Sequence, residues 1–175
     1  MQIRDAEVRD LPEITEIHND AVRKTTAIWT EVVIDIEDRR TWLADRENAG
    51  YPVLVAVADD GKVLGFATFG DWRTKEGYRY TVEHSVYIRS DCRGAGIGRA
   101  LMAILIDRAR AIGKHAMVAA IEASNIESIR LHERLDFEHA GQLREVGTKF
   151  GRWLDLAFMQ LVLDPRPYPE PTDAR

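Results

Sequence analysis

The segment from Thr81 to Ile112 constrains this chain more than any other: an apolar-rich stretch, TVEHSVYI, runs through RGAGIG at 93–98 into a helical pattern. Glycines alternate at Gly94, Gly96 and Gly98, and the helix beyond them has Ile97, Leu101, Ile104, Leu105 and Ile112 as its expected apolar face. Such a loop brings successive backbone N–H groups to a helix N-terminus with no Cβ in the way, which suits a diphosphate. Arg93 and Arg99 add charge at its rim. A tight chain reversal would use the same glycines. The dinucleotide fingerprint GxGxxG is not met, because Arg99 stands where its third glycine belongs, and no GK[ST] follows.

The flanking pattern gives the fold class. Met1 to Arg4 has room for a short strand. Asp10 to Val22 reads as a helix, with Asp10 and Glu13 at capping-box spacing, Pro12 in the first turn, and Ile14, Ile17, Ala21 and Val22 at helical intervals. Asp35 opens a second helix to about Ala49, which Gly50 and Pro52 close, and TTAIW at 25–29 lies between the two. Val53 to Ala58 and Lys62 to Gly70 read as a hairpin across Asp59, Asp60 and Gly61. Thr81 to Ile88 and His115 to Ile121 follow as strands. Ser124 and Glu127 are expected to cap a helix from about Asn125 to Arg134, and the last strands run from Phe137 to Val146 and Trp153 to Leu163 around GTKFG at 147–151. Early hairpins, one glycine-loop crossover and a final hairpin predict an α+β, or mixed α/β, sheet with helices on both faces. Residues 1–163 are expected to form a single domain. PRPYPEPTDAR at 165–175, with four prolines and no apolar run, predicts an extended, disordered tail over 164–175.

Composition narrows the functional classes. The 175 residues fit one domain, and 29 Asp and Glu against 24 Lys and Arg give a formal charge of -5, so no positive field gathers nucleic-acid phosphates. Cys92 is the only cysteine, so an internal disulfide is impossible, and the five histidines show no zinc spacing; no metal is expected. No apolar leader follows Met1 and no stretch approaches the roughly 18 apolar residues of a membrane span, so a cytoplasmic protein without membrane attachment is expected.

Several side chains stand out chemically. Glu83 sits among ordinary strand formers, so its carboxylate marks either a wet edge, with an ion pair to Arg73 or Arg79, or a site. Period two puts Glu83, Ser85 and Tyr87 on one face and Val82, His84, Val86 and Ile88 on the other. Asn125, Ser128 and His132 share one helix face. Arg73, Lys75 and Arg79 cluster in DWRTKEGYR, which is either a solvated loop or a carboxylate clamp. Trp29, Trp72, Phe150 and Trp153 either frame an apolar pocket or pack in the core. Cys92 has no histidine assigned to activate it and is read as structural or incidental.

Taken together, these motifs resemble the GCN5-related N-acetyltransferase (GNAT) family over most of residues 1–163. That family's pyrophosphate loop reads Arg or Gln, two residues, Gly, one residue, Gly or Ala, which Arg93, Gly96 and Gly98 match. Its next motif, an Asn opening a helix with a Tyr seven residues on and a Gly-Phe strand start, is matched in frame by Asn125, Ser128, His132, Leu135 and Phe137. TTAIW, TVEHSVY, SIRLHERL and GTKFGRWLD resemble its phosphinothricin and methionine sulfoximine acetyltransferase subgroup. His132 replaces the wider family's tyrosine, as it does in that subgroup, and Asp136 replaces the glycine, at a left-handed position that Asp tolerates.

The resemblance implies a mostly antiparallel sheet with one splayed parallel strand pair, acetyl-CoA as co-substrate, and direct transfer to the α-amine of a small amino acid or analogue. Cofactor contacts carry over to Val86, Tyr87 and Ile88 on the strand, to Arg93, Gly94, Ala95, Gly96, Ile97, Gly98 and Arg99 in the loop, and to Asn125 and Ser128. Glu83 and His132 carry over as the proton-transfer groups, either one as base or acid, and Arg73, Thr74, Lys75, Arg79 and Glu83 as substrate contacts. A homodimer with acceptor sites near its interface is also implied. Two rival readings remain at this stage: acetylation of a peptide N-terminus or polyamine, and a silent acyl-CoA sensor.

Overall fold

The computed structural model describes residues 1–169. Its strands are β1 (Gln2–Asp5), β2 (Val53–Val57), β3 (Val63–Asp71), β4 (Thr81–Ile88), β5 (Ala116–Glu122), β6 (Glu138–Lys149) and β7 (Arg152–Val162); its α-helices are α1 (Leu11–Lys24), α2 (Ile36–Asn48), α3 (Ile97–Ala111) and α4 (Ile126–Glu133). The strands form one sheet in the order β1-β2-β3-β4-β5-β7-β6, in which β4 and β5 are the parallel pair and every other pairing is antiparallel. This is the mixed, mostly antiparallel sheet expected from the sequence.

Local chemistry explains the helix boundaries, with two corrections. Asp35 caps α2 as expected, accepting from the N–H groups of Glu37 and Asp38, and Gly50 beyond its end has φ +70°. Asp10 does not cap α1 with Glu13. It lies at the end of a 3₁₀ turn, where its carboxylate takes two hydrogen bonds from Arg4 (2.7 and 2.8 Å) and one from the Glu7 N–H, while Glu13 accepts from Val63 N–H on β3. Ser124 does not cap α4 either: its hydroxyl donates to Glu122, and the cap is Asn125, whose Oδ1 accepts from Ser128 N–H at 3.1 Å.

The expected face of α3 is also rotated. Ile97, Leu101 and Leu105 are buried, but Ile104 and Ile112 are exposed, and Met102, Ile106 and Ala109 complete the core face. Together with Leu54, Phe69, Val82, Met117 and Met159 they form the larger core cluster, on the α3 side of the sheet; Leu11, Ile14, Leu43, Val55 and Phe66 form the cluster under α1 and α2. Truncating a fully buried residue such as Leu105 to Ala costs about 2–5 kcal/mol. The last hairpin is longer than the sequence suggests: β6 runs to Lys149 and β7 starts at Arg152, so GTKF lies mostly within the ladder and the reversal is Phe150-Gly151, with φ of 51° and 69°.

The tail begins bound to the domain. Asp164 lies 2.9 Å from His115 Nδ1 and pairs with Arg166, whose guanidinium also sits over the Tyr80 ring. The remainder of the expected disordered segment, 170–175, lies outside the described residues.

Candidate active site

The site is built at a fork in the sheet. Parallel pairing of β4 with β5 covers only Thr81, Val82 and Glu83, opposite Ala116, Met117 and Val118. Beyond Glu83, β4 continues against β3 to Ile88 and β5 continues against β7 to Glu122, so the two strands part. From His84 to Ile88, which includes Val86, Tyr87 and Ile88, the β5-facing edge of β4 has no strand to bond with, and its backbone groups are available to a ligand. At the far end of β4 stands the glycine loop. Gly94 and Gly96 both have φ +78°, a Cβ on either meets no atom within 4 Å, and Gly96 is the N-cap of α3. Arg93, Ala95 and Arg99 are exposed around it, while Ile97 turns its side chain into the core. Gly98 faces inward, where a Cβ would meet Leu131 at 3.4 Å. Loop and strand edge therefore make one continuous surface for a phosphate-bearing, extended molecule.

Glu83 and His132 belong to opposite faces of this fork. Glu83 shares its face with Ser85 and Tyr87, and the Tyr87 ring packs against Phe66 and His18 under α1. Among the described residues Glu83 has no hydrogen bond and no ion pair, so the simple salt-bridge reading of the sequence does not hold. Burial raises its pKa, and the Arg73 charge opposes that rise. A half-buried carboxylate with a raised pKa and no partner is suited to taking a proton.

His132 is 1% exposed, on α4, with Nδ1 2.7 Å from the Ser128 carbonyl and Nε2 2.9 Å from Nε2 of His84. Burial lowers the pKa of both imidazoles, and the charge of His132 lowers that of His84 further. Both rings are neutral at working pH. Phe137 meets each ring edge-on, at 5.7 Å from His84 and 5.1 Å from His132.

The expected substrate loop divides. Arg73, Thr74 and Lys75 are exposed between β3 and the 3₁₀ turn Glu76–Tyr78; Arg73 stacks on Trp72 and acts electrostatically on Glu83. Arg79 instead lies over the Tyr80 ring, and its carbonyl accepts from Lys114. The four large rings do not gather around one cavity. Trp29 rests on Gly147 with Nε1 bonded to Thr26 O, Trp72 meets Tyr78, and Phe150 and Trp153 are exposed at the β6–β7 turn. At Cys92, burial and the Asp91 carboxylate raise the thiol pKa, which opposes a nucleophilic role.

Three features escape the sequence reading. His84 could be assigned to a face by periodicity, but its partner lies 48 positions away. Lys149, hidden in GTKFG, is buried and donates to the carbonyls of Val22, Thr25 and Ile28 at 2.6–2.7 Å, tying the TTAIW loop to β6. Arg39 is 5% exposed, stacked on Trp42 at 4.4 Å with an unpartnered Nε, and burial pushes its pKa down to about 10. No local signal distinguishes it from the other charged residues of α2.

Residues 3–158 match the model of the acetyltransferase (GNAT) domain. The chain is 60% identical over 163 residues to the L-methionine sulfoximine/L-methionine sulfone acetyltransferase of Pseudomonas aeruginosa, covering 93% of this chain and 95% of that one. An acetyltransferase of Salmonella typhimurium solved with acetyl-CoA superposes with a TM-score of 0.94 at 52% identity, covering 97% of this chain and 98% of that one. A phosphinothricin acetyltransferase of Sinorhizobium meliloti, also solved with acetyl-CoA, gives 0.93 at 37% identity, covering 98% and 93%.

Proposed function

The chain belongs to the GNAT acetyltransferase family, and we propose that it moves the acetyl group of acetyl-CoA directly to the α-amine of a small amino acid of the methionine sulfoximine, methionine sulfone or phosphinothricin type. The observation that carries this reading is the fork at Glu83, where an unpartnered carboxylate stands between an open strand edge and the Arg73 loop. The fit to acetyl-CoA rests on the chain's own geometry. The open backbone at Gly94 and Gly96 and the charges of Arg93 and Arg99 take the diphosphate, and the edge of Val86, Tyr87 and Ile88 takes the pantetheine amides. Asn125 and Ser128, at the start of α4, border the same side.

Acetyl-CoA supplies an activated acyl group. The chain's residues do the rest. Arg73, with Thr74 and Lys75, holds the acceptor carboxylate, Glu83 removes the ammonium proton, and His132 serves the proton that the sulfur must gain. Arg79 contributes to the loop through its backbone. The likeness to the Pseudomonas aeruginosa enzyme over nearly the whole chain supports an amino-acid acceptor rather than a polyamine, as does the cationic loop. Residues 1–163 act as one catalytic domain, and the protein works in the cytoplasm as a homodimer. The dimer contact is read from Leu143, Val146, Phe150 and Trp153, large apolar side chains exposed on β6, on β7 and in the turn between them. Among the described residues no helix is long and apolar enough to cross a membrane, and no cluster of His, Cys, Asp and Glu could hold a metal.

Release of the CoA thiol across a panel of free amino acids, peptides and polyamines tests the reading. Turnover is expected on methionine sulfone, methionine sulfoximine or phosphinothricin. Turnover restricted to peptides or polyamines contradicts it, and acetyl-CoA binding with no turnover on any amine favours a sensor.

A further inference from the structure

One charge on the Glu83 face of the sheet has no counter-charge. Arg39, near the start of α2, is 5% exposed, and its guanidinium lies 4.4 Å from the centre of the Trp42 ring and 6.0 Å from that of Phe66. Among the described residues nothing accepts a hydrogen bond from that guanidinium: Nε is sealed without a partner, and the two terminal nitrogens are equally unpartnered but not sealed. The adjacent Asp38 is engaged at the helix cap, accepting from Asp35 N–H at 3.2 Å. Burial lowers the Arg39 pKa to about 10, which leaves the group charged at working pH. A buried, uncompensated charge costs stability, so its presence calls for a ligand that supplies the missing acceptor.

Its position follows from strand register. Phe66 pairs with Tyr87 across β3 and β4, their rings lie 5.3 Å apart, and His18 of α1 meets the Tyr87 ring at 6.2 Å. The Arg39 guanidinium therefore lies beside the row Glu83, Ser85, Tyr87. Arg39 and Glu83 both act on the Tyr87 hydroxyl, with opposite sign, so the two charges stand around one phenol. His18, Glu83, Ser85 and Tyr87 each keep part of their surface open to a small molecule. The two ends of the row differ. At the Glu83 end the Arg73 charge acts, and Arg46 rests against Gly70, the residue opposite Glu83 on β3. At the Tyr87 end stands Arg39.

We propose that Arg39 anchors the acceptor's side chain: with the α-amine at Glu83 and the α-carboxylate at Arg73, oxygens on a tetrahedral sulfur or phosphorus accept from the terminal N–H groups of Arg39, beside the Tyr87 hydroxyl. This rests on the acetyltransferase reading above and deepens it by naming what selects the acceptor. A guanidinium offers a planar fork of donors, which suits oxygens carried on one atom. A thioether or plain alkyl side chain has no such oxygen and leaves the buried donors unpaired, so it is discriminated against. Sulfone, sulfoximine and phosphinate all supply the oxygen. The phosphinate, as an anion, gains most.

The test compares methionine sulfone, phosphinothricin and methionine, which share the α-amine and α-carboxylate and differ in side-chain oxygens, on the wild type, Arg39→Met and Arg39→Lys. The wild type should prefer the two oxygen-bearing acceptors in kcat/KM. Arg39→Met, which fills the space without charge, should lower kcat/KM about 10- to 100-fold on both, most on phosphinothricin, and leave methionine within about twofold. Arg39→Lys keeps the charge, loses the fork and should fall between. Because the charge is unpaired in the free protein, Arg39→Met should melt at or above the wild-type temperature. Equal losses on all three acceptors would place Arg39 on the α-carboxylate or in packing and overturn the proposal, as would a lower melting temperature with the acceptor preference intact. Calorimetric titration of phosphinothricin in the presence of CoA reads the subsite without turnover. Affinity lost in Arg39→Met is expected, and no wild-type binding, or equal affinity in both proteins, overturns the proposal. A wild type that binds phosphinothricin through Arg39 yet acetylates no amine would sink the functional reading and leave the subsite in place.

Discussion

Glu83 and His84 are consecutive on β4, yet their side chains leave opposite faces of the sheet at the residue where pairing with β5 stops. Strand alternation makes this unavoidable, and the fork makes it useful. Glu83 lies on the face of Tyr87, where the Arg73 charge acts on it, while His84 faces His132 and Phe137 on the side of α4. One strand thereby supplies a carboxylate to one side of the gap and an imidazole pair to the other, without a flexible loop to position either.

Arg73 is the charge that opposes the burial of Glu83. In Arg73→Ala the Glu83 pKa rises further, its carboxylate takes up a proton at higher pH, and the acid limb of the kcat/KM profile moves to higher pH. Losing a charge-assisted contact to the acceptor carboxylate should also raise the amino-acid KM about 10- to 100-fold. A pH–rate profile with the limb unmoved would separate Arg73 from Glu83.

Gly96 tests the loop. Its φ of +78° strains any side chain, and a Cβ there points into open space that the diphosphate would fill. Gly96→Val should raise the acetyl-CoA KM at least about tenfold while the amine KM stays within about twofold. Unchanged acetyl-CoA affinity in a folded variant would make the loop a simple chain reversal.

The histidines make stability depend on pH. His18, His84 and His132 all have pKa values lowered chiefly by burial. A depressed histidine pKa gives stability that is present above the unfolded value of about 6.5 and is lost as pH falls below it, because the unfolded chain then binds more protons. Urea midpoints should therefore drop between pH 7.5 and 5.5, and His84→Phe should flatten that drop. Equal midpoints at the two pH values in the wild type would contradict this.

Much of this architecture was legible in the chain, for physical reasons that differ from one element to another. β4 was legible to the residue because alternation and the following glycines bound it on both sides. The face of α3 is not legible in the chain because Ile104 and Ile112 fit a helical stripe equally well, and only packing in the core with Phe69 and Met117 selects Met102, Ile106 and Ala109 instead. Ser124 and Asp10 looked like caps by spacing, but each is claimed by a nearer partner, Glu122 and Arg4. Glu83 was visible as a carboxylate out of place in a strand. His84 was not, because its significance comes from a ring on α4, and pairing between distant positions leaves no local trace.

Assembly is open to direct measurement. Leu143 (46% exposed), Val146 (49%), Phe150 (43%) and Trp153 (68%) are large apolar side chains left exposed along the β6–β7 hairpin. Light scattering should give a dimer, and Trp153→Glu should shift it towards monomer. A fully active wild-type monomer would remove the dimer from the account.

The most direct test of the account is the pair of wild-type protein and Glu83→Gln, assayed with acetyl-CoA and methionine sulfone under saturating amine. The substitution keeps size and removes the proton acceptor. The account predicts N-acetyl methionine sulfone as the wild-type product, a kcat reduced about 10²- to 10⁴-fold in Glu83→Gln, and an acetyl-CoA affinity near that of the wild type. Wild-type turnover in the folded variant at every pH would contradict it, and would leave catalysis to positioning at the fork without a base at Glu83.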